Sequence, residues 1–159
     1  RSTDGKTYQT VTESVLQLGD SALAGAPHPG ETAMIFTEND AIICLTRTTR
    51  HRTLTGRSEP PYRSWTWQSS NKGIGGPNMI ELPDGRLLAA MRLYFPARTS
   101  LAWVNPETGR LNEFMVLPSG GDNSYPGLVW HDNMLWVSYY SSHEGKASIY
   151  LAKVKLPGF

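Results

Sequence analysis

Hydrophobic and polar positions follow one pattern three times along this chain. Residues 33–47 (AMIFTENDAIICLTR), 78–92 (NMIELPDGRLLAAMR) and 126–140 (PGLVWHDNMLWVSYY) align without a gap, at spacings of 45 and 48 residues. Each copy contains an apolar strand, a polar turn and a second apolar strand. A repeat of this length, built from hairpins, predicts the blades of a β-propeller.

The turns of the three copies fall at the same place in the alignment. Each turn contains two residues that tolerate the positive φ of a two-residue hairpin. These pairs are Asn39-Asp40, Asp84-Gly85 and Asp132-Asn133. The pattern therefore predicts three β-hairpins of the same kind.

Further strands are predicted after each hairpin. The first copy continues with strands at 53–57 and 65–69, and the second with strands at 98–104 and 111–117. The third copy has a third strand at 146–155 and no fourth. The predicted blades span residues 31–70, 76–118 and 122–156.

An additional alternating stretch lies near the N-terminus. Residues 8–16 (YQTVTESVL) alternate like a strand but have no hairpin partner. They are interpreted as the last strand of a preceding blade, as the strand that closes the final blade, or as a frayed tail. The fold prediction is all-β: one partial β-propeller over residues 1–159, with about three four-stranded blades.

Composition excludes several classes of partner. Fifteen basic and fourteen acidic residues give no basic patch for nucleic acid or an anionic membrane. No apolar run reaches the roughly 18–20 residues of a membrane span, and no signal peptide is visible. Cys44 is predicted to be a small buried hydrophobe. His28, His51, His131 and His143 lack metal-ligand spacing, so neither a metal nor another cofactor is expected.

Candidate chemistry follows from blade geometry. The start of a blade's first strand and the end of its second lie on the same face of the propeller. Positions selected by this rule are Glu31, Thr32, Gly76, Pro77, Ser124 and Tyr125 at strand starts, and Arg47, Arg92 and Tyr140 at strand ends. A lone arginine there is most simply a solvated charge. Two at one repeat position, facing a carboxylate and tyrosines, favour a site that binds a carboxylate.

Two segments resemble a known family. GGPNMIELPDGRLLAAMR and GDNSYPGLVWHDNMLWVSYYSSHEGKASIYLAKVKL resemble bacterial sialidase-like (neuraminidase, BNR-repeat) proteins, whose propellers have six blades. Turns at 2–8, 58–65 and 105–111 are similar to degenerate Asp boxes, a turn motif of such propellers. The resemblance implies that the chain corresponds to the C-terminal half of the family's propeller.

The resemblance also implies roles for particular residues. Tyr125 matches the nucleophile and Glu31 its glutamate partner, while Arg47 and Arg92 match two arginines that bind the substrate carboxylate. Tyr140, Asp122 and Arg98 are further candidates for substrate contacts. The family's first arginine and its acid/base aspartate have no match here, so the chain contains half of such a site.

Three functions remain open at this point. The first is a sialidase-like glycoside hydrolase acting on a terminal acidic sugar. The alternatives are a non-catalytic glycan-binding propeller and a structural scaffold. Three blades cannot close a channel, so we expect either a second copy or a missing N-terminal half of the propeller. The resemblance favours a bacterial and exported protein, although the sequence itself does not indicate a compartment.

Overall fold

The computed structural model describes residues 1–16, 28–49 and 53–159, and the regular elements of these residues are eleven β-strands. The strands are β1 (Pro29–Phe36), β2 (Ile42–Thr48), β3 (Thr53–Ser58), β4 (Thr66–Ser69), β5 (Ile74–Glu81), β6 (Leu87–Leu93), β7 (Arg98–Val104), β8 (Leu111–Val116), β9 (Asn123–His131), β10 (Met134–Ser141) and β11 (Ser148–Val154). No helix in the described part of the chain is long and apolar enough to cross a membrane.

The strands form three antiparallel sheets. Two sheets have four strands, in the orders β1-β2-β3-β4 and β5-β6-β7-β8, and the third has three, in the order β11-β10-β9. The first strand of the middle sheet, β5, contacts both β1 and β9, so the inner strands lie side by side. This arrangement confirms the prediction of an all-β, partial β-propeller. The assignment of residues 1–159 to one domain stays a prediction.

Apolar side chains hold the sheets against one another. The middle strands β2 and β6 are buried on both faces, which explains their nearly continuous apolar sequence. The core between the first and second sheets includes Ile43, Leu45, Met79, Ala89 and Met91. The core between the second and third includes Leu88, Leu101, Leu135, Val137 and Tyr139. Each large buried side chain contributes about 1.5–3 kcal/mol, so these two cores supply most of the attraction between blades.

The outer face of the first sheet contacts the N-terminal segment. Ile42, Cys44, Leu54 and Trp67 are buried there and pack with Leu16. The indole Nε1 of Trp67 donates a hydrogen bond of 2.8 Å to the carbonyl oxygen of Val15. Burial also raises the pKa of the Cys44 thiol to about 11.

The predicted strand at 8–16 is not formed. Residues 8–16 pair with no described strand, and the segment contacts the first sheet through the Leu16 side chain and the Val15 carbonyl oxygen instead. Alternation specifies a strand only where a partner supplies backbone hydrogen bonds, so the interpretation of residues 8–16 as the last strand of a preceding blade stays a prediction.

The three hairpins differ in their turns. Asp132 and Asn133 have φ of 50° and 55° and form the two-residue turn expected from the sequence. The other two connections are longer. In the first, the N–H of Thr37 bonds to the carbonyl oxygen of Ala41, and Asp40 has positive φ. In the second, the N–H of Leu82 bonds to the carbonyl oxygen of Arg86, and Gly85 has positive φ. The prediction of two-residue turns is thus wrong for the first two hairpins. Because the turn of the third hairpin is shorter, the first strand of the third copy is shifted by one residue relative to the gapless alignment.

We predict that Gly56→Ala destabilises the first blade. Gly56 pairs with Trp67 across β3 and β4, and a Cβ at residue 56 would lie 2.4 Å from the indole ring. Displacing the buried indole should reduce the free energy of unfolding by about 1–3 kcal/mol, measured by urea denaturation.

Gly30→Ala provides the control for this substitution. A Cβ at residue 30 would meet only the carbonyl oxygen of Arg47, at 3.7 Å. This variant should remain within about 0.5 kcal/mol of the parent chain. Equal stability of the Gly56 variant and the parent would contradict the importance of the close contact.

Candidate functional site

Each inner strand begins with a β-bulge at the same end of the propeller. Two residues of the inner strand oppose one residue of its neighbour, at 30–31 opposite Arg47, 76–77 opposite Met91 and 125–126 opposite Tyr139. A bulge bends the strand and redirects its side chains. The three bulges therefore turn the strand starts towards one another.

The carboxylate of Glu31 joins all three blades. Its Oε1 accepts a hydrogen bond from the Tyr125 hydroxyl of the third blade. Its Oε2 accepts one from the backbone N–H of Gly76 in the second blade, at 2.8 Å, and one from Nη1 of Arg47 in the first, at 3.0 Å. The predicted pairing of Glu31 with a strand-end arginine and a tyrosine is therefore present in the structure.

These contacts determine where the proton of the pair resides. Burial alone would raise the pKa of the Glu31 carboxyl, but hydrogen bonds from Tyr125, Gly76 and Arg47 outweigh it and lower that pKa. The hydrogen bond to Glu31, together with desolvation, raises the pKa of Tyr125. At neutral pH the pair therefore consists of an ionised carboxylate and a protonated phenol.

A second polar cluster joins the second and third blades. Nε of Arg92 donates to the Asn123 carbonyl oxygen at 2.6 Å, and Nη2 donates to Oδ1 of Asp122 at 2.6 Å and to the Tyr140 hydroxyl oxygen at 3.0 Å. The Tyr140 hydroxyl donates to Oδ1 of Asp122 at 2.8 Å. Burial, followed by this hydrogen bond, raises the pKa of Tyr140.

The two clusters meet at a pair of tyrosine rings. The rings of Tyr125 and Tyr140 are nearly parallel, at 13°, with centroids 6.1 Å apart. Tyr125 is 59% exposed, so a ligand can reach its ring and hydroxyl. The site thus combines an accessible aromatic surface with hydrogen-bond donors and acceptors.

The two arginines are not equivalent. The side chain of Arg92 is only 19% exposed, and Nε and Nη2 already bond to groups of the third blade. The side chain of Arg47 is 39% exposed, and Nη1 carries its bond to Glu31. Arg47 therefore has more capacity to bind an incoming anion.

Six of the seven predicted site residues lie in these clusters. They are Glu31, Arg47, Arg92, Asp122, Tyr125 and Tyr140. Arg98 instead forms two hydrogen bonds of 2.9 Å with the carboxylate of Glu113 inside its own blade. The chemical roles assigned to these residues stay predictions.

Gly76 was selected by its strand position, but neither its backbone N–H nor the carbonyl of Asn123 was predicted to form a hydrogen bond in the site. The N–H of Gly76 binds Glu31, and the carbonyl of Asn123 binds Arg92. The Gly75-Gly76 pair in a strand was the available signal, because glycine in a strand often marks a close approach of two backbones. The Asn123 carbonyl had no comparable signal in the sequence.

The metal prediction concerned four histidines, of which His51 lies outside the described residues. Over the described ranges, no group of three or more His, Cys, Asp or Glu side chains is placed to hold a metal ion.

Solved structures with a similar fold are mainly glycoside hydrolases. A protein of unknown function from Dyadobacter fermentans matches over 80% of this chain and 38% of its own, with 22% identity and a TM-score of 0.70. An endo-1,4-β-xylanase from Bacteroides thetaiotaomicron matches over 82% and 51%, with 13% identity and a TM-score of 0.60. A Bacteroides ovatus xyloglucan-locus GH43 protein matches over 81% and 27%, with 12% identity and a TM-score of 0.59.

These similarities establish the fold, and this chain spans about half or less of each of those proteins. No protein-family model and no curated protein matches the chain.

The similarities also correct the family prediction. Similar structures are GH43 five-bladed propellers and a protein of unknown function, not sialidase-like six-bladed propellers. The sialidase-like assignment was therefore wrong. It depended on residues at strand ends and in turns, whereas blade number depends on how the sheets pack.

We predict that Glu31→Gln destabilises the chain in a pH-dependent way. At pH 7 the loss should be about 1.5–3 kcal/mol, as for hydrogen bonds to a charged group. Because the folded-state pKa of Glu31 is lowered, its contribution is complete above the ordinary value of 4.5 and is lost as pH falls through the folded value. Urea denaturation at several pH values should show the parent and the variant converging below that pH.

Glu38→Gln provides the control, because Glu38 is exposed in the first turn. Its stability difference from the parent should be small at every pH. A constant difference between the Glu31 variant and the parent from pH 7 to pH 3 would contradict the role of the ionised carboxylate.

Proposed function

We propose that this chain is a carbohydrate-acting propeller, either glycosidase-like or carbohydrate-binding, whose sugar binds at the Glu31–Tyr125 cluster. The observation that carries the proposal is the exposed Tyr125 phenol, hydrogen-bonded to Glu31 where three inner strands meet. An aromatic ring beside fixed polar groups suits a sugar, which has both apolar faces and hydroxyl edges. The GH43 enzymes with a similar fold support the same class of ligand.

The finer proposal is a sugar that carries a carboxylate. Arg47 is the group that supports it, because its side chain is partly exposed and only Nη1 bonds to Glu31. A guanidinium can bind a second carboxylate through its remaining N–H groups. Arg92 contributes through charge and through the position of Tyr140.

If the site is hydrolytic, Tyr125 is the proposed nucleophile and Glu31 its base. The phenol proton would pass to Glu31 as the Tyr125 oxygen forms a bond to the anomeric carbon and the glycosidic C–O bond breaks, the leaving oxygen taking a proton from water. Water would then cleave the tyrosyl–sugar bond, and Tyr125 would recover its proton from Glu31. The raised pKa of Tyr125 opposes this transfer in the resting protein. That observation favours the binding alternative, in which the phenol remains a hydrogen-bond donor.

A panel of sugars tests the proposal. Neutral xylo- and galacto-oligosaccharides and oligosaccharides ending in a hexuronic acid are titrated by calorimetry, and release of reducing sugar is measured in parallel. We expect Tyr125→Phe to weaken the affinity for sugar about tenfold or more, since the hydroxyl that bonds to the charged Glu31 is lost from the site. Arg47→Lys should reduce the preference for the acidic sugars.

Tyr8→Phe is the matched control, because Tyr8 is 75% exposed and lies outside the cluster. Its affinities should equal those of the parent. Turnover that disappears in Tyr125→Phe indicates a hydrolase, and binding without turnover indicates a binding module. If the parent neither binds nor cleaves any sugar of the panel, the proposal is wrong.

We also propose that an apolar face of the third blade packs on a second copy of this chain. This open face includes Val129, Trp136, Ile149 and Leu151. Val129 is 57% exposed, Ile149 80% and Leu151 64%. The corresponding faces of the first two blades are buried against the next blade. Exposed Met34 and Phe36 on the first blade supply a complementary surface in the second copy.

Leu151→Lys tests this association. The parent should behave as a dimer in size-exclusion chromatography with light scattering, and the variant should be a monomer because a charge replaces part of the apolar contact. Val116→Lys alters an exposed apolar residue on the second blade, 53% exposed against 64% for Leu151, and should remain a dimer. A parent that is monomeric at high micromolar concentration would exclude the second copy as the partner.

A further inference from the structure

The contact between Gly76 and Ser124 lies next to the Glu31–Tyr125 pair. Ser124 is only 1% exposed, and its Oγ lies 3.1 Å from the Gly75 carbonyl oxygen and 2.9 Å from that of Gly76. The single hydroxyl proton can therefore serve either carbonyl. This contact joins the inner strand of the second blade to that of the third.

Together these groups form a closed ring of contacts. The Ser124 hydroxyl bonds to the carbonyl oxygen of Gly76, and the N–H of Gly76 bonds to Glu31 at 2.8 Å. Glu31 accepts the Tyr125 hydroxyl, and Tyr125 follows Ser124 directly in the chain. Gly76 and Ser124 are therefore linked to the Glu31–Tyr125 pair both by hydrogen bonds and through the chain.

The backbone of this ring permits little else at residue 76. Gly76 has φ of +49°, and a Cβ there would lie 2.9 Å from Oγ of Ser124 and 3.1 Å from the backbone nitrogen of Tyr125. Ser124 and Tyr125 also have positive φ, of 122° and 45°. Such conformations persist in non-glycine residues only where the surroundings hold them.

We propose that Gly76 and Ser124 are positioning residues that hold the Tyr125 phenol on Glu31. The proposal rests on the proposed function for its effect on sugar binding. Its geometric part can be measured without a ligand. The experiment can therefore contradict the positioning role and the sugar-binding role independently.

The experiment follows the titration of Tyr125 by NMR in chain labelled at the tyrosine ring carbons, with Tyr125→Phe identifying the signal. Gly76→Ala should lower the pKa of Tyr125 towards the ordinary value of about 10, because the hydrogen bond to Glu31 is lost. Ser124→Ala should shift the pKa in the same direction by a smaller amount. Both variants should weaken sugar binding, by about tenfold for Gly76→Ala.

Gly85→Ala is the matched control. Gly85 also has positive φ, +80°, but nothing lies within 4 Å of a Cβ built there. It should leave the Tyr125 titration unchanged despite similar backbone strain. An unchanged titration in a folded Gly76→Ala variant overturns the proposal, and if that variant does not fold, an unchanged titration in Ser124→Ala does so. A shifted titration in a chain that binds no sugar supports the positioning role and counts against the proposed function.

Discussion

The arrangement of the site depends on the hydrogen bonds that the Glu31 carboxylate accepts. It accepts hydrogen bonds from a side chain of its own blade, from the backbone of the second and from the phenol of the third. A partly buried charge needs such donors, since desolvation otherwise penalises its ionised form. Bulges at the strand starts and a glycine at position 76 allow these donors to reach one point.

Attraction between the blades and orientation of the site come from different interactions. Apolar residues such as Ile43 and Met91, or Leu88 and Val137, fill the cores between sheets. Each of them contributes more than the roughly 0.5–1.5 kcal/mol net of a single hydrogen bond. The polar clusters therefore select one alignment among packed alternatives, and the apolar cores make packing favourable. An exposed site can therefore keep a fixed geometry, because the buried apolar cores beneath it supply the stability.

The sequence predicted the strands and which candidate residues lie together, because both depend on the repeat. Alternation and turn residues located the hairpins, and repeat position selected Glu31, Arg47, Arg92 and Tyr125 as residues of one face. Arg98 shares that end of the blade but finds Glu113 on the neighbouring strand, a pairing that strand position alone does not specify. The N–H of Gly76 was signalled only by the presence of glycine in a strand, and the Asn123 carbonyl had no signal in the sequence. Residues 8–16 alternate but form no strand with the described residues, because alternation alone does not supply a pairing partner.

The family prediction failed for a related physical reason. Residues at strand ends show which groups meet, but the number of blades depends on the angle between adjacent sheets. Side chains between the sheets, which here include the small residues Ala89, Ala90 and Ala102, influence how closely neighbouring blades pack. Similar local clusters can therefore occur in propellers of different blade number, and fold does not determine reaction.

The charges of the site constrain what it can bind. Two arginines face two carboxylates, so the cluster is close to neutral before a ligand arrives. An acidic sugar would have to share Arg47 with Glu31, while a neutral sugar could use the phenol of Tyr125 and the ring of Tyr140 without disturbing either ion pair. The proton stays on Tyr125 because the phenol donates a hydrogen bond to the ionised Glu31, and because burial and the negative charge of Glu31 disfavour an ionised phenol. Hydrolysis through this phenol therefore requires that the bound substrate, or a group beyond the cluster, stabilises charge transfer that the resting pair opposes.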